Sequence, residues 1–304
     1  MIKYNVETNN TLSLYDPTHT LTLRNQFSTK INNKFNFLSK NIEKALRVLI
    51  NNESVEFIND EYIFVNLNEY ARAVDKIEYF MDWLKILEKK VFLSFSNSLF
   101  GFRGNVEFWF DPFIIKSYIR GIQRGVLELN KINIKKEINI DEVNQYIIQN
   151  IKHKNHIEIL LTLSINEING ILDAMNQNIS RILANTFANN KTYNDIKHDI
   201  RNKIEGIGLK RIRMMSRFFI IKAYNFSAIN EYFMSGIKKV KTIPEHIFKN
   251  KDTIMNNLNI TKDDLHSCKK CEEISKKVIK IEEIYDMIPF HPGCKCFVVP
   301  YIGG

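Results

Sequence analysis

The chain has 304 residues, of which 44% are hydrophobic and 25% charged, a composition typical of globular proteins, and its net charge is +9. Only 11 glycines and 6 prolines occur, which argues against collagen-like, propeller and turn-rich all-β folds. No apolar run approaches the roughly 18 residues of a membrane span, and the first residues lack the apolar core of a secretory signal. We therefore expect a protein that is made in a cytoplasm and has no membrane partner.

The N-terminal half is predicted to be an extended arm followed by helices. Residues 1–26 are polar and have no helical period, which is typical of an arm. A small hairpin is expected near 55–65, where two β-prone runs flank a turn-forming segment. The predicted helices have apolar residues spaced by three and four, and Asp111-Pro112 is a typical start for the third. They cover about 27–50, 68–92, 111–129 and 141–152.

The C-terminal half begins with the strongest helical pattern of the sequence, over about 157–187. Thr192 and Asp195 resemble a capping box that opens the next helix, which Gly206 and Gly208 are expected to end. A last long helix then precedes a region of different character. The predicted elements here are a helix at 209–235, strands at 240–243, 278–281 and 297–300, and an insertion at 245–264.

These elements predict a mainly α protein, an elongated multi-helix bundle with a small C-terminal zinc knuckle that contains β-strands. The aromatic runs Phe108-Trp109-Phe110 and Phe218-Phe219 are expected to be buried in a core or an interface. We divide the sequence into an arm at 1–26, an N-terminal helical region at 27–152, a helical core at 153–239 and the knuckle at 240–304.

The knuckle is predicted from the cysteines, which all lie near the C-terminus: Cys268, Cys271, Cys294 and Cys296. Close pairs of sulfurs, brought together by a short hairpin, are how tetrahedral zinc sites are built. On an extended segment the side chains of Cys294 and Cys296 share one face. We predict a structural zinc ion held by the four cysteines, because thiolates suit zinc.

Other interpretations of the cysteines stay open. His291 is a fifth candidate ligand for about four places, so it either supports a ligand or replaces one cysteine. Four reduced thiols, packed without metal in a small β unit, are the alternative to a zinc site. A redox role for the Cys-x-x-Cys is disfavoured because no βαβ pattern surrounds it.

No catalytic motif is evident: the zinc-protease motif HExxH, a phosphate-binding glycine loop and a nucleophile elbow are all lacking. His153 and His156 lie three apart in a basic connector, and we expect them on the surface rather than bound to metal. Asp263 and Asp264, just before His266, are expected to be solvated loop acids. The residues alone therefore name no reaction, and we expect no enzymatic activity.

The segments around the cysteines form a fairly specific pattern, His266–Cys271 and then Ile288–Cys296 followed by Val298–Pro300. They resemble the phage Mu protein F-like family, the minor head or head morphogenesis proteins of tailed phages. The chain departs from that family at Phe218-Phe219, where a polar Thr-Glu pair is usual. Similar segments occur upstream in family order: Asp16–Arg24, Phe80–Leu84, Tyr118–Gly125, Leu172–Ala184, Ile207–Arg213, Ser216–Asn225, and Tyr232 with Gly236.

The resemblance implies a minor capsid protein, present in few copies inside the head near the portal, that acts in head assembly and in DNA packaging or delivery. The implied partners are portal and capsid proteins and double-stranded DNA, and the implied location is the virion interior. The arm over 1–24 is the expected docking segment for the portal or shell. No fused toxin or protease domain is expected, because family-like segments fill the chain.

The basic charge agrees with a DNA partner, although Asn, Ile and Lys have AT-rich codons and genomic bias is an alternative source of the excess. The candidate DNA contacts are Lys210, Arg211, Arg213, Lys238, Lys239 and Lys241. The rival function is a zinc-dependent nuclease or effector, which needs an open metal position and a base such as His266 or Asp264. A free zinc-ribbon regulator is disfavoured by the long helical portion.

Overall fold

The computed structural model describes residues 18, 20–51, 72–97, 100–102, 106–139, 142–244 and 269–303. Several predictions fall outside these residues: most of the arm, the hairpin at 55–65 and the insertion at 245–264. Cys268, Asp263, Asp264 and His266 also lie outside them.

The described chain is mainly helical, as predicted. The helices are α1 (Leu21–Asn51), α2 (Ala73–Phe92), α3 (Asp111–Lys131), α4 (Val143–Gln149), α5 (Ile151–Ala188), α6 (Tyr193–Lys203), α7 (Lys210–Met234), α8 (Lys269–Ser275) and α9 (Ile281–Met287). Strands β1 (Phe95–Asn97) and β2 (Val106–Phe108) form an antiparallel pair. Strands β3 (Lys239–Ile243), β4 (Ile279–Lys280) and β5 (Phe297–Pro300) form an antiparallel sheet in the order β4-β3-β5.

Two helix boundaries differ from their predictions. α1 begins at Leu21, so the last residues assigned to the arm are helical. The helix predicted over 141–152 is two helices, separated at Asn150, whose backbone is extended. The Asn150 Oδ1 accepts hydrogen bonds from the Lys152 and His153 N–H groups at 3.1 and 3.3 Å, so it caps the start of α5.

The glycines after α6 do not end a helix, contrary to the prediction. The capping box at its start is confirmed, since Thr192 and Asp195 bond reciprocally. After Lys203 the backbone continues through a π-helical segment, Ile204–Leu209, directly into α7. A Cβ at Gly208 would lie only 2.4 Å from the Phe35 Cε1, so this glycine permits close packing rather than a turn.

The chain forms two compact units, each discontinuous in sequence. The first comprises residues 1–25, 111–161 and 217–304, and the second comprises 26–110 and 162–216. The second unit has an apolar core from long helices, in which the rings of Phe35 and Phe92 lie 4.8 Å apart. Of the aromatic residues predicted to be buried, Phe108, Phe110 and Phe219 are buried, whereas Trp109 and Phe218 are half-buried.

The first unit contains the C-terminal sheet. Its core contains side chains of α3, α7, the sheet and the short helices α8 and α9, and three of these side chains are cysteines. The core residues are Leu129, Ala228, Ile229, Tyr232, Ile237, Val240, Cys271, Ile279, Ile281, Ile284, Ile288, Phe290, Cys294, Cys296 and Val298. The segment between the two cysteine pairs was expected to be a short hairpin, but it contains two short helices, α8 and α9. The strand predicted at 278–281 covers only β4, and α9 begins at Ile281. The cysteine region therefore shares its core with the long helices.

Candidate metal centre and a buried polar network

Three of the predicted ligands come together in the first unit. The Cys271 Sγ lies 3.1 Å from the His291 Nε2 and 3.9 Å from the Cys294 Sγ. The ligand atoms of these three residues all lie within 4.8 Å of one another. With zinc–sulfur bonds of about 2.3 Å, two sulfurs of a tetrahedral site are about 3.8 Å apart, so the spacing of Cys271 and Cys294 fits one shared metal ion.

Cys296 lies close to this group of three and is a fourth candidate ligand, although its sulfur is not among the atoms that all lie within 4.8 Å of one another. Cys271, Cys294 and Cys296 are all buried and free of disulfide bonds. His291 is half-exposed, with its Nε2 facing the Cys271 sulfur. With Cys296 as the fourth ligand, the donor set would be three cysteines and one histidine, which suits zinc.

Short local structures position the ligands. α8 carries Cys271. The turn from His291 to Cys294 is closed by the Cys294 N–H, which donates to the His291 carbonyl at 2.9 Å. These elements are too short to be stable alone, so their positions depend on what they pack against.

α7 fixes the segment that carries Cys296. The Asn225 Nδ2 donates to the Cys296 carbonyl at 2.9 Å, and the Asn225 Oδ1 accepts from the Val298 N–H at 3.0 Å. Further along α7, the Tyr232 hydroxyl donates to the Val298 carbonyl at 3.0 Å. Asn225 and Tyr232 are fully buried, so these bonds are made away from water. The sequence pattern predicts no such role for either side chain, since both partners lie more than 60 residues away along the chain.

The thiols are electrostatically unequal. Hydrogen bonds from Cys271 and then from Cys296 lower the pKa of the Cys294 thiol to about 3, against the opposing effect of burial. Contacts with Cys271 and then with Cys294, together with burial, raise the pKa of Cys296, because its thiol keeps its proton beside a thiolate. Cysteine binds metal as the thiolate, so zinc binding here would release the remaining thiol protons.

His153, which we predicted to be on the surface, is fully buried in the first unit. Its Nε2 lies 2.8 Å from the Glu231 Oε1, and its Nδ1 lies 3.0 Å from the Tyr118 hydroxyl. Glu231 also accepts a hydrogen bond from Tyr146 at 3.0 Å and pairs with the Lys136 Nζ at 2.5 Å. The surface prediction is wrong because α5 turns His153 inward, on the same face as the buried Ile157.

Asn230 extends this network toward α9. Its Nδ2 lies 3.0 Å from the Tyr118 hydroxyl and 2.8 Å from the His156 Nδ1, and its Oδ1 accepts from the Tyr285 hydroxyl at 2.6 Å. His156 is therefore half-buried and hydrogen-bonded, not a free surface residue. Burial lowers the pKa of His156, and the neighbouring His153 adds to the effect. The network thus links five helices, α3, α4, α5, α7 and α9, through side-chain hydrogen bonds.

The charge at the centre of the network is carried by Glu231. Burial by itself would raise the pKa of this carboxyl, but the hydrogen bonds and charges of His153 and Lys136 outweigh it and lower the pKa. Glu231, His153 and Tyr118 are all fully buried, so none of these hydrogen-bonded side chains is accessible to a substrate. We interpret it as a structural network.

Two glycines let α3 approach α7 closely at this network. A Cβ at Gly121 would lie 2.0 Å from the Ser227 Oγ and from the Tyr224 carbonyl oxygen. A Cβ at Gly125 would lie 2.9 Å from the Glu231 Cβ. Larger side chains at these two positions would separate the helices.

The predicted DNA contacts fall into two groups. Lys210 and Arg211 are exposed at the start of α7 in the second unit, but Arg213 is half-buried and its Nε donates to the Asn32 Oδ1 at 2.7 Å. The other group is in the first unit, where Lys238 and Lys239 are exposed and Lys241 is half-buried. Arg213 therefore supports the fold, and the remaining side chains are better placed to contact a ligand.

Compared with protein-family models, with curated proteins and with solved structures, the chain matches none of them. In the part of the chain that the structure describes, no helix has the length and apolar character needed to cross a bilayer.

Proposed function

We propose that the chain is a minor capsid protein of a tailed phage, a prophage or a phage-like particle. It lies inside the head near the portal and acts in head assembly and in DNA packaging or delivery. Its partners are portal and capsid proteins and double-stranded DNA. The support for this proposal is the resemblance of its cysteine segments to the Mu protein F-like family, together with the geometry of those segments.

The observation that carries a structural role is the candidate ligand set of Cys271, His291, Cys294 and Cys296. A catalytic zinc ion keeps one position open for water or substrate, whereas four protein ligands close the site. The three cysteines are part of an apolar core, which suits a metal ion that stabilises the fold. We therefore propose structural zinc and no enzymatic activity, in preference to a nuclease or effector.

The test of the capsid role is quantitative mass spectrometry of purified particles from a host that carries the gene. We expect this chain in a few copies per particle, together with portal and major capsid proteins. Particles of normal composition that lack the chain would overturn the assignment.

The docking segment is tested by deletion. Since α1 begins at Leu21 and Leu23 is buried, a deletion of residues 1–17 spares the helix, whereas removal of 1–24 would damage it. We expect the shorter chain to be folded and zinc-loaded but missing from heads. Normal incorporation of the shorter chain into heads would indicate that the docking site lies on the helices instead.

A further inference from the structure

One face of the C-terminal sheet collects lysines from adjacent strands. Lys239 of β3 pairs directly with Lys280 of β4 in the antiparallel register. Residues paired in this way lie on the same face, with Cβ atoms about 4.5–5.5 Å apart, and Lys241 follows two residues along on that face. We call Lys239, Lys241 and Lys280 the lysine face.

The lysine face is on the solvent side of the sheet. Val240, Thr242 and Ile279, which alternate with these lysines along the strands, are buried on the other side. Lys239 and Lys280 are exposed, and the half-buried Lys241 has its Nζ 4.5 Å from the centre of the Tyr301 ring. The positive groups therefore lie together on the solvent side of the sheet.

Little within the described chain neutralises this charge. The Lys280 Nζ lies 3.8 Å from the Glu283 Oε1, but both side chains are largely exposed, and such pairs are weak. Within the described residues, Lys239 forms no ion pair, and its nearest paired neighbour across the strands is another lysine. Like charges directly opposite each other disfavour the sheet, and a bound polyanion would remove that cost. Three further exposed lysines flank the face along the chain: Lys238, Lys276 and Lys277.

We propose that the lysine face binds the phosphate backbone of double-stranded DNA. This proposal rests on the proposed function, in which DNA is a partner, and it adds the protein surface that would contact the DNA. Lysine ammonium groups are point charges without the planar fork that reads base edges, so this contact is sequence-independent. Lys280, which the sequence alone does not suggest, belongs to the site because of the strand register.

The test is duplex DNA binding by the full zinc-loaded chain, measured as a function of salt with two unrelated 30-base-pair sequences as probes. In the variant Lys239→Gln/Lys280→Gln, we expect the negative slope of log K against log salt to become less steep by about 2. Each of the two lost phosphate contacts contributes about 0.9 to that slope. The affinity should fall equally for both sequences. The thermal midpoint should not fall, because the substitutions remove an unfavourable pair of like charges.

The matched control is Lys89→Gln/Lys191→Gln, which removes two exposed cations from the other unit that are not among the candidate DNA contacts. It should retain the salt slope of the natural chain. If this control loses binding and Lys239→Gln/Lys280→Gln binds normally, the chain binds DNA at another surface. That result would overturn the proposal for the lysine face. No binding by the natural chain at low salt would overturn both, whereas the capsid assignment is decided separately by the composition of particles.

Discussion

The second unit and the C-terminal part of the first unit, residues 269–303, are stabilised in different ways. The second unit buries long apolar stripes, and α1 shows this most clearly with Phe27, Ile31, Phe35 and Leu38 nearly inaccessible to solvent. In the C-terminal part, α8 and α9 have only seven residues each, and three of the buried side chains are cysteines. The comparison indicates that long helices are sufficient for the first kind of core, whereas the second depends on the support of α7 and, in the proposed function, on a bound zinc ion.

Removing a ligand should have the largest effect and should separate the two regions. We expect Cys271→Ser to lose zinc and to unfold residues 269–303, because structural zinc contributes on the order of 10 kcal/mol to small units of this kind. Limited proteolysis should cleave the C-terminal part while the second unit persists. Cys268→Ser is the matched control, and it should retain zinc if the four described ligands are sufficient. Full protease resistance of Cys271→Ser would contradict this account.

Breaking the polar network should have the next largest effect. Glu231→Gln leaves the buried His153 and Lys136 without their carboxylate, which we expect to destabilise the first unit by about 3–5 kcal/mol. Because the folded-state pKa of Glu231 is lowered, its contribution is present above the unfolded pKa of about 4.3 and is lost as the pH falls. Denaturant unfolding near pH 7 and pH 3 should show a smaller difference in the variant than in the natural chain. An equal difference would show that Glu231 is not the titrating group.

Helix contact in the first unit is tested by Gly121→Ala. The new methyl group would overlap the Tyr224 carbonyl, so we expect a loss of about 1–3 kcal/mol in the free energy of unfolding. Gly170→Ala, in an open part of α5, is the control and should stabilise by up to about 1 kcal/mol. If both variants are stabilised, α3 and α7 do not approach as closely as described.

The second unit should respond to pH in the opposite direction from the first. Burial raises the pKa of Glu88 to about 8, although the hydrogen bond from the Asn176 Nδ2 at 2.7 Å opposes the rise. The neutral Glu88 carboxyl contributes its full stabilisation of the folded state below the pKa that Glu88 has in the unfolded chain. As the pH rises from there toward 8, the free energy of unfolding falls by up to about 1.4 kcal/mol per pH unit. Glu88→Gln should therefore unfold at a higher temperature than the natural chain at pH 8.5, with little difference at pH 4.5. A variant that is less stable at both pH values would contradict a neutral Glu88.

The long helices and the capping box of Thr192 could be predicted because their signals are local. The burial of His153 could not, since its partner Glu231 lies 78 residues away in the sequence. Glycine is ambiguous for a similar reason: Gly208 satisfies a packing requirement set by Phe35, although the same residue type commonly ends helices. The cysteine spacing predicted that sulfurs would meet, but the place of His291 among them depends on a turn and on two short helices that have no strong pattern.

The most direct test of the proposed structural metal centre is zinc-edge X-ray absorption spectroscopy on the purified full chain. We expect one zinc ion per chain, bound by three sulfur atoms at about 2.3 Å and one nitrogen at about 2.0 Å, with no oxygen ligand. A spectrum with a bound water or carboxylate oxygen, or a folded chain without zinc, would contradict a closed structural site.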